Sequence, residues 1–220
     1  MTRVKLGLAS VLSIGFLLRL VHINVGLLLY GFSIALMVNA GVGLGPWDVL
    51  HEGLSIVLPI TIGWAMIGAG MVVLLLTPLL GQVNMGLGTL LNMTLIGLWT
   101  DAFLTQPWFP EPQQFIVGLV AFLIGLALNG LATGLYITAG LGAGPRDGFA
   151  LALAQRLGRS VRLARTGVEI TVLITGMLLG GTVGVGTVFF ALLIGPFMQT
   201  ALRLLAGLQR YHDARAARPA

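Results

Sequence analysis

The chain is 220 residues long, 57% hydrophobic and 9% charged, with a mean hydropathy of +0.99, far from the composition of a soluble domain. It contains no cysteine, which excludes disulfides, thiolate metal sites and cysteine nucleophiles. In a soluble protein a net charge of +5 and a pI near 10.8 would suggest nucleic acid; here the twelve Lys and Arg read as topology signals and lipid headgroup contacts, and no nucleic-acid partner is expected.

Arg3 and Lys5 precede an apolar stretch from Leu6 to Leu18, which resembles a secretory leader. Arg19, His22 and Asn24 follow without a small-residue cleavage pattern, and apolar sequence resumes to Ala40, so the segment is expected to stay uncleaved as part of the first helix or an interfacial stretch. Six apolar spans then follow, roughly 16–40, 61–80, 87–105, 113–139, 163–180 and 185–207. They approach or exceed the roughly 18–20 residues that cross a bilayer core of about 30 Å. Their continuous apolar character, without a two-residue alternation, argues against a β-barrel.

The spans fall into two copies of one unit. Ala40-Gly41-Val42-Gly43-Leu44-Gly45-Pro46-Trp47-Asp48 returns as Ala139-Gly140-Leu141-Gly142-Ala143-Gly144-Pro145-Arg146-Asp147. Around it Phe16, Gly26, Gly31 and Leu36 match Phe115, Gly125, Gly130 and Leu135. Further on, Gly68 matches Gly167, and Leu79-Leu80-Gly81 matches Leu178-Leu179-Gly180. After a one-residue slip, Gly86-Leu87-Gly88-Thr89 pairs with Gly184-Val185-Gly186-Thr187, and Ile96-Gly97 with Ile194-Gly195. The expected fold is an all-α membrane protein: six transmembrane helices as two inverted three-helix repeats, each with a Gly-Pro broken segment. Repeat one covers about 16–105 and repeat two about 113–207, in a single transmembrane domain 1–220 that ends in a basic cytoplasmic tail, 208–220.

Three spans per unit force the second copy to enter the membrane upside down. The charges agree. Arg3 and Lys5, the group Arg146, Arg156, Arg159, Arg162 and Arg165, and the group Arg203, Arg210, Arg215 and Arg218 fall on one side, while Asp48, Glu52 and Glu111 fall in connections without Lys or Arg. By the positive-inside rule both termini are cytoplasmic.

Each glycine-rich element opens a segment too short to span, Trp47 to about Val57 and Arg146 to about Leu157. Gly41, Gly43 and Gly45, like Gly140, Gly142 and Gly144, end a long helix and allow close backbone approach. Pro46 and Pro145 suit the first position of a new helix. Asp48 and Asp147 then fall in the first turn, where a carboxylate either caps the helix or marks a segment that offers its N–H groups to a substrate. Glu169 lies inside the fifth span, four residues after Arg165; an intramembrane carboxylate is a functional candidate, and an internal ion pair is the structural alternative. Arg162 and Arg165 read as snorkelling or topology residues. Arg146 interrupts the match with Trp47 and suits either a solute anion or a lipid phosphate. Asn92 and Asn129, well inside their spans, are candidates to line a pathway, whereas Asn39, Thr94, Thr133 and Gln199 read as interhelical hydrogen-bonding groups. Gly88-Thr89 and Gly186-Thr187 read as cap and packing residues. The substrate-binding candidates are therefore Asp48, Asp147, Arg146, Glu169, Asn92 and Asn129.

Catalysis is not expected, and neither a metal nor a cofactor. His22, His51 and His212 are scattered, His51-Glu52 has no metal-ligand spacing, and no nucleophile elbow, Walker A loop or paired-carboxylate pattern occurs.

The run Gly43-Leu44-Gly45-Pro46-Trp47-Asp48-Val49-Leu50-His51, with Gly86-Leu87-Gly88-Thr89, Gly142-Ala143-Gly144-Pro145-Arg146-Asp147-Gly148 and Gly180-Gly181-Thr182-Val183-Gly184-Val185-Gly186-Thr187, resembles the YczE/YitT group of bacterial inner-membrane proteins, its YczE-like branch above all. The resemblance covers about residues 16 to 207. It implies a multi-pass protein of the bacterial plasma (inner) membrane and a transporter-like activity, and it brings no catalytic or ligand residues with it. YitT-type members carry a soluble C-terminal domain without counterpart here, so a sensing role lodged there is not expected. The expectation is a secondary transporter of an unidentified small solute; the alternative is a non-transporting membrane scaffold or regulatory protein. Expected partners are the lipid bilayer and that solute, and the glycine-lined surfaces also permit a homodimer.

Overall fold

The computed structural model describes residues 14–81, 83, 85–142 and 144–216. Arg3, Lys5, Ala143 and Arg218 lie outside the described residues.

The apolar runs and the residues that stop them divide this stretch into eight helices: α1 (Ile14–Asn39), α2 (Pro46–Val57), α3 (Ile62–Leu80), α4 (Leu87–Leu104), α5 (Phe115–Thr138), α6 (Pro145–Leu157), α7 (Val161–Leu178) and α8 (Val185–Ala216). Local chemistry sets most of the boundaries. Pro46 and Pro145 stand at the first positions of α2 and α6, where a missing N–H costs nothing. Thr61 caps α3 by accepting from the Trp64 N–H, and Ser160 caps α7 by accepting from the Leu163 N–H. Gly158 closes α6 in the left-handed conformation. The Thr89 and Thr187 hydroxyls accept from the backbone N–H groups of Gly86 and Gly184 at the entrances to α4 and α8.

Five of the helices, α1, α3, α4, α5 and α8, are long and apolar enough to cross a membrane. The sixth expected span, α7, carries Arg162, Arg165 and Glu169 and is not among them. α8 also differs from expectation: it continues as helix to Ala216, so the C-terminal basic segment begins as an extension of the last span rather than as a separate tail.

The helices form two groups. In the first, α1 runs antiparallel to α5, with Gly26 against Leu135 and Tyr136, Gly125 against Ser33 and Met37, and Gly118 against the Ala40 carbonyl. α4 packs on α1 and α8 on α5. Ile23, Leu27, Ile34, Met37, Phe122 and Leu126 are buried in this core. In the second group α2 lies on α7 and α3 on α6, with α6 against α7 and α2 against α3. α3 also packs along α4 and so joins the groups, but no comparable contact forms between α7 and α8.

The repeated glycine element takes the same backbone path twice. Gly41 and Gly140 have φ of 65° and 67°, Gly43 and Gly142 have φ of 106° and 119°, and Gly45 and Gly144 are extended at −66°, 156° and −62°, 156°. Each loop is fastened to the start of a late helix by a matching bond: Gly186 N–H donates to the Val42 carbonyl and Gly88 N–H to the Leu141 carbonyl, both at 2.8 Å. The first loop has an additional clip, because Glu52 of α2 accepts from both the backbone N–H and the hydroxyl of Thr182. Glu52→Ala is expected to lower stability by about 1–2 kcal/mol, the range of charge-assisted bonds discounted for partial exposure. Unfolding of the detergent-solubilised protein in an SDS titration measures this, and an unchanged midpoint would show that the clip adds nothing net.

Candidate functional site

The two broken elements deliver the N-termini of α2 and α6 to one place. The Arg146 guanidinium carbon stands 4.8 Å above the Trp47 ring, within cation–π range. Trp47 and Arg146 occupy the same position of the two sequence copies, so equivalent points of the repeats meet. Arg146 Nη2 also donates to His51 Nε2 at 3.4 Å, and His51 Nδ1 lies 3.5 Å from Asp48 Oδ1. Both contacts are long, and Asp48 Oδ1 and His51 Nδ1 are buried with no shorter partner among the described residues.

A second network lies beside the first. Asp147 Oδ2 accepts from the Tyr136 hydroxyl at 2.9 Å, and Asp147 Oδ1 accepts from Arg165 Nη1 at 3.3 Å. Arg165 Nε donates to Glu169 Oε1 at 3.0 Å. The Asp147, Arg165 and Glu169 side chains are between a third and a half exposed, so they border open space, while Tyr136 is buried.

That space is a cavity of about 210 Å³ between the two helix groups. Asp48, Asn92, Asn129, Arg146, Asp147 and Glu169 all border it, together with Pro46 and Gly144 of the broken elements. Phe190, Ile194, Met198 and Leu202 of α8 close its opposite wall. Three other glycines of the broken elements serve the crossings instead: a Cβ at Gly43 would lie 2.5 Å from Gly184 N, one at Gly142 3.0 Å from Gly86 N, and one at Gly45 against the Phe190 ring, whereas Gly41 and Gly140 face open space.

Several side chains behave differently from the sequence reading. Asp48 and Asp147 lie in the first turns of α2 and α6, and the hydrogen bonds and ion pairs of their carboxylates among the described residues are to side chains, not to the N–H groups of their own helices. The carboxylates turn instead to groups from other turns and helices. Arg165 forms the expected ion pair with Glu169 and also pairs with Asp147. Arg146 rests on Trp47 and His51. Asn129 donates to Ser33 Oγ at 3.1 Å, and its Oδ1 is buried without a donor. Asn39 binds the Pro110 carbonyl and Thr94 its own helix, away from the cavity. Tyr30, Trp47 and Tyr136, which also border it, and His51 were absent from the sequence candidates. For His51 the available signal was its spacing of three from Asp48 and four from Trp47, which puts all three on one helical face.

A larger hollow of about 470 Å³ with apolar walls, Leu50, Leu54, Val73, Phe149, Leu153 and Val172 among them, lies among α2, α3, α6 and α7. It shares Trp47 and Val168 with the charged cavity. Leu50 and Phe149, Leu54 and Leu153, and Val73 and Val172 are again equivalent positions of the two copies.

The chain is 39% identical over 190 residues to a protein of Haemophilus influenzae, covering 84% of this chain and 86% of that one. It is 32% identical over 191 residues to the membrane protein YczE of Bacillus subtilis, covering 86% and 88%. It is 24% identical over 189 residues to the Bacillus subtilis protein YyaS, covering 86% and 94%. No solved structure matches. The model of the "Family of unknown function (DUF6198)" matches residues 17–203, and with YczE similar over most of its length the chain belongs to this family of YczE-like membrane proteins.

Proposed function

We propose that the protein is a secondary transporter of a small solute across the bacterial plasma membrane. It works as two inverted three-span repeats with six crossings and both termini in the cytoplasm. α7 is the sixth crossing; a helix that turns Arg165 and Glu169 toward a polar cavity does not need the apolar content of a lipid-facing one.

The single observation that carries the proposal is the unequal state of the two flanks of the cavity. On one flank α3 lies hard against α4: a Cβ at Gly63 would fall 2.2 Å from the Gly97 carbonyl oxygen. Asp101 latches this flank by accepting from the Thr61 hydroxyl and, at 2.8 Å, from the Gly63 N–H. On the other flank the equivalent helices α7 and α8 stand apart, Gly195 has no atom within reach of a Cβ, and Ser160 and Gln199 occupy the positions of Thr61 and Asp101. Inverted repeats in two different conformations supply alternating access, because exchanging the two conformations opens the opposite face. The opening here is on the arginine-rich, cytoplasmic side. The alternative, a static scaffold or regulator, draws support from the fact that Asp147, Arg165 and Glu169 already satisfy one another.

A chain without cysteine permits a direct test. A single Asn92→Cys in the cavity wall is expected to react with a small membrane-impermeant thiol reagent in inside-out vesicles and, more slowly, in right-side-out vesicles. Labelling from one face only, unchanged by time or temperature, would sink the transporter proposal and leave the scaffold.

A further inference from the structure

We propose that the charged cavity holds a small zwitterion, its ammonium group against Asp48 and its acid group against Arg146. This deepens the transporter reading by naming the substrate class of the same site.

The charges around the cavity divide into a spent set and an unspent set. Arg165 is spent between Asp147 and Glu169. Asp48 is 4% exposed, and its Oδ1 has no partner among the described residues nearer than His51 Nδ1 at 3.5 Å. The guanidinium of Arg146 has no carboxylate within ion-pair distance among the described residues; its contacts are the Trp47 ring and the His51 nitrogen. His51 stands between the two, 3.5 Å from Asp48 Oδ1 and 3.4 Å from Arg146 Nη2, and keeps them from pairing with each other.

A buried carboxylate without a donor is costly in an apolar surrounding. Asn129 adds a second unpaired acceptor on the same cavity wall. Two acceptors without donors call for an N–H-bearing cation, while the free N–H groups of Arg146 call for an anion. A simple cation leaves Arg146 without a counter-charge, and a simple anion leaves Asp48 without one. A molecule with both groups compensates the unspent pair, while Asp147 and Glu169 share the single Arg165 and leave one negative charge in excess beside it. Size limits the class further: about 210 Å³ falls below the usual range of about 300–1,000 Å³ for small-molecule pockets. The molecule is of amino-acid size.

The test uses the purified full chain in detergent, with glycine, β-alanine and γ-aminobutyrate as zwitterions of increasing charge separation, and methylammonium and acetate as the two halves. At least one zwitterion is expected to raise the melting temperature in a saturable way, with methylammonium and acetate each at least tenfold weaker. Asp48→Asn and Arg146→Gln are each expected to weaken the zwitterion at least tenfold while eluting as folded protein. Should either fail to fold, Asp48→Glu and Arg146→Lys, which keep the charge, are expected to weaken binding by a smaller factor. Acetate or methylammonium binding as tightly as every zwitterion would overturn the proposal in favour of a site for one sign of charge. No saturable shift with any of the three zwitterions would also overturn it. In both cases the transporter reading is decided separately, by the two-sided labelling of the cavity cysteine.

Discussion

Gly97→Leu is expected to cost about 3 kcal/mol or more of stability, whereas Gly195→Leu, the same substitution at the equivalent position of the second copy, is expected to stay within about 0.5 kcal/mol of the wild type. At Gly97 a Cβ would lie 2.5 Å from the Gly63 carbonyl oxygen and 3.0 Å from Ile67 Cγ1. The nearer obstacle is backbone, so no rotamer change relieves it and α3 must move off α4. That movement also strains the Asp101 latch, whose two bonds to Thr61 and Gly63 are charge-assisted and worth about 1.5–3 kcal/mol each when fully formed. At Gly195 nothing lies within 4 Å. A leucine there meets only open space in the present state but stands where α7 must seat if the flank closes. Gly195→Leu is therefore expected to keep its SDS-unfolding midpoint and to lose labelling of the cavity cysteine from the outer face. Equal destabilisation by both substitutions would contradict the unequal flanks on which the transporter proposal rests.

Gly43→Ala is expected to be the more damaging of two alanine substitutions in the first glycine element, at about 3–5 kcal/mol, with Gly41→Ala costing about 1–2 kcal/mol. Both residues have positive φ, 65° at Gly41 and 106° at Gly43, so both substitutions incur backbone strain. They differ in what surrounds them. A Cβ at Gly41 meets nothing within 4 Å, while one at Gly43 falls 2.5 Å from Gly184 N and 2.7 Å from its Cα. Relief requires the loop to withdraw from the start of α8, which weakens the Gly186 to Val42 and Leu44 to Thr182 backbone bonds. Thermal unfolding of the two variants side by side measures the difference. Similar melting temperatures would mean that strain, not the loop-to-loop crossing, sets the cost.

The helical elements and the repeat could be read from the sequence because both are local properties. Proline after extended glycine, a run of apolar residues and a Thr or Ser cap specify where a helix starts, whatever it packs against. The expected short helices from Trp47 and Arg146 accordingly fall within one residue of α2 and α6. The candidate residues Asp48, Asn92, Asn129, Arg146, Asp147 and Glu169 could be selected because a polar side chain within an apolar span is costly wherever it lies. Their common cavity follows from how the spans pack.

What each of those groups touches was decided only by the tertiary structure. Asp48 and Asp147 have the sequence position of helix caps, yet Asp147 turns to Tyr136 and Arg165, and Asp48 faces His51. Those partners are brought there by the crossing of α5, α6 and α7 and by the α2 turn, and no spacing rule reaches across 11 or 18 residues. Arg146 and Trp47 break the repeat in sequence and stack in space, because equivalent positions of the two copies meet. The parting of α7 from α8 is not encoded in either helix's periodicity. Secondary structure and repetition depend on each residue and its near neighbours, whereas pairing of charges and the state of a cavity depend on which distant surfaces come together, and that is set by the packing of the whole bundle.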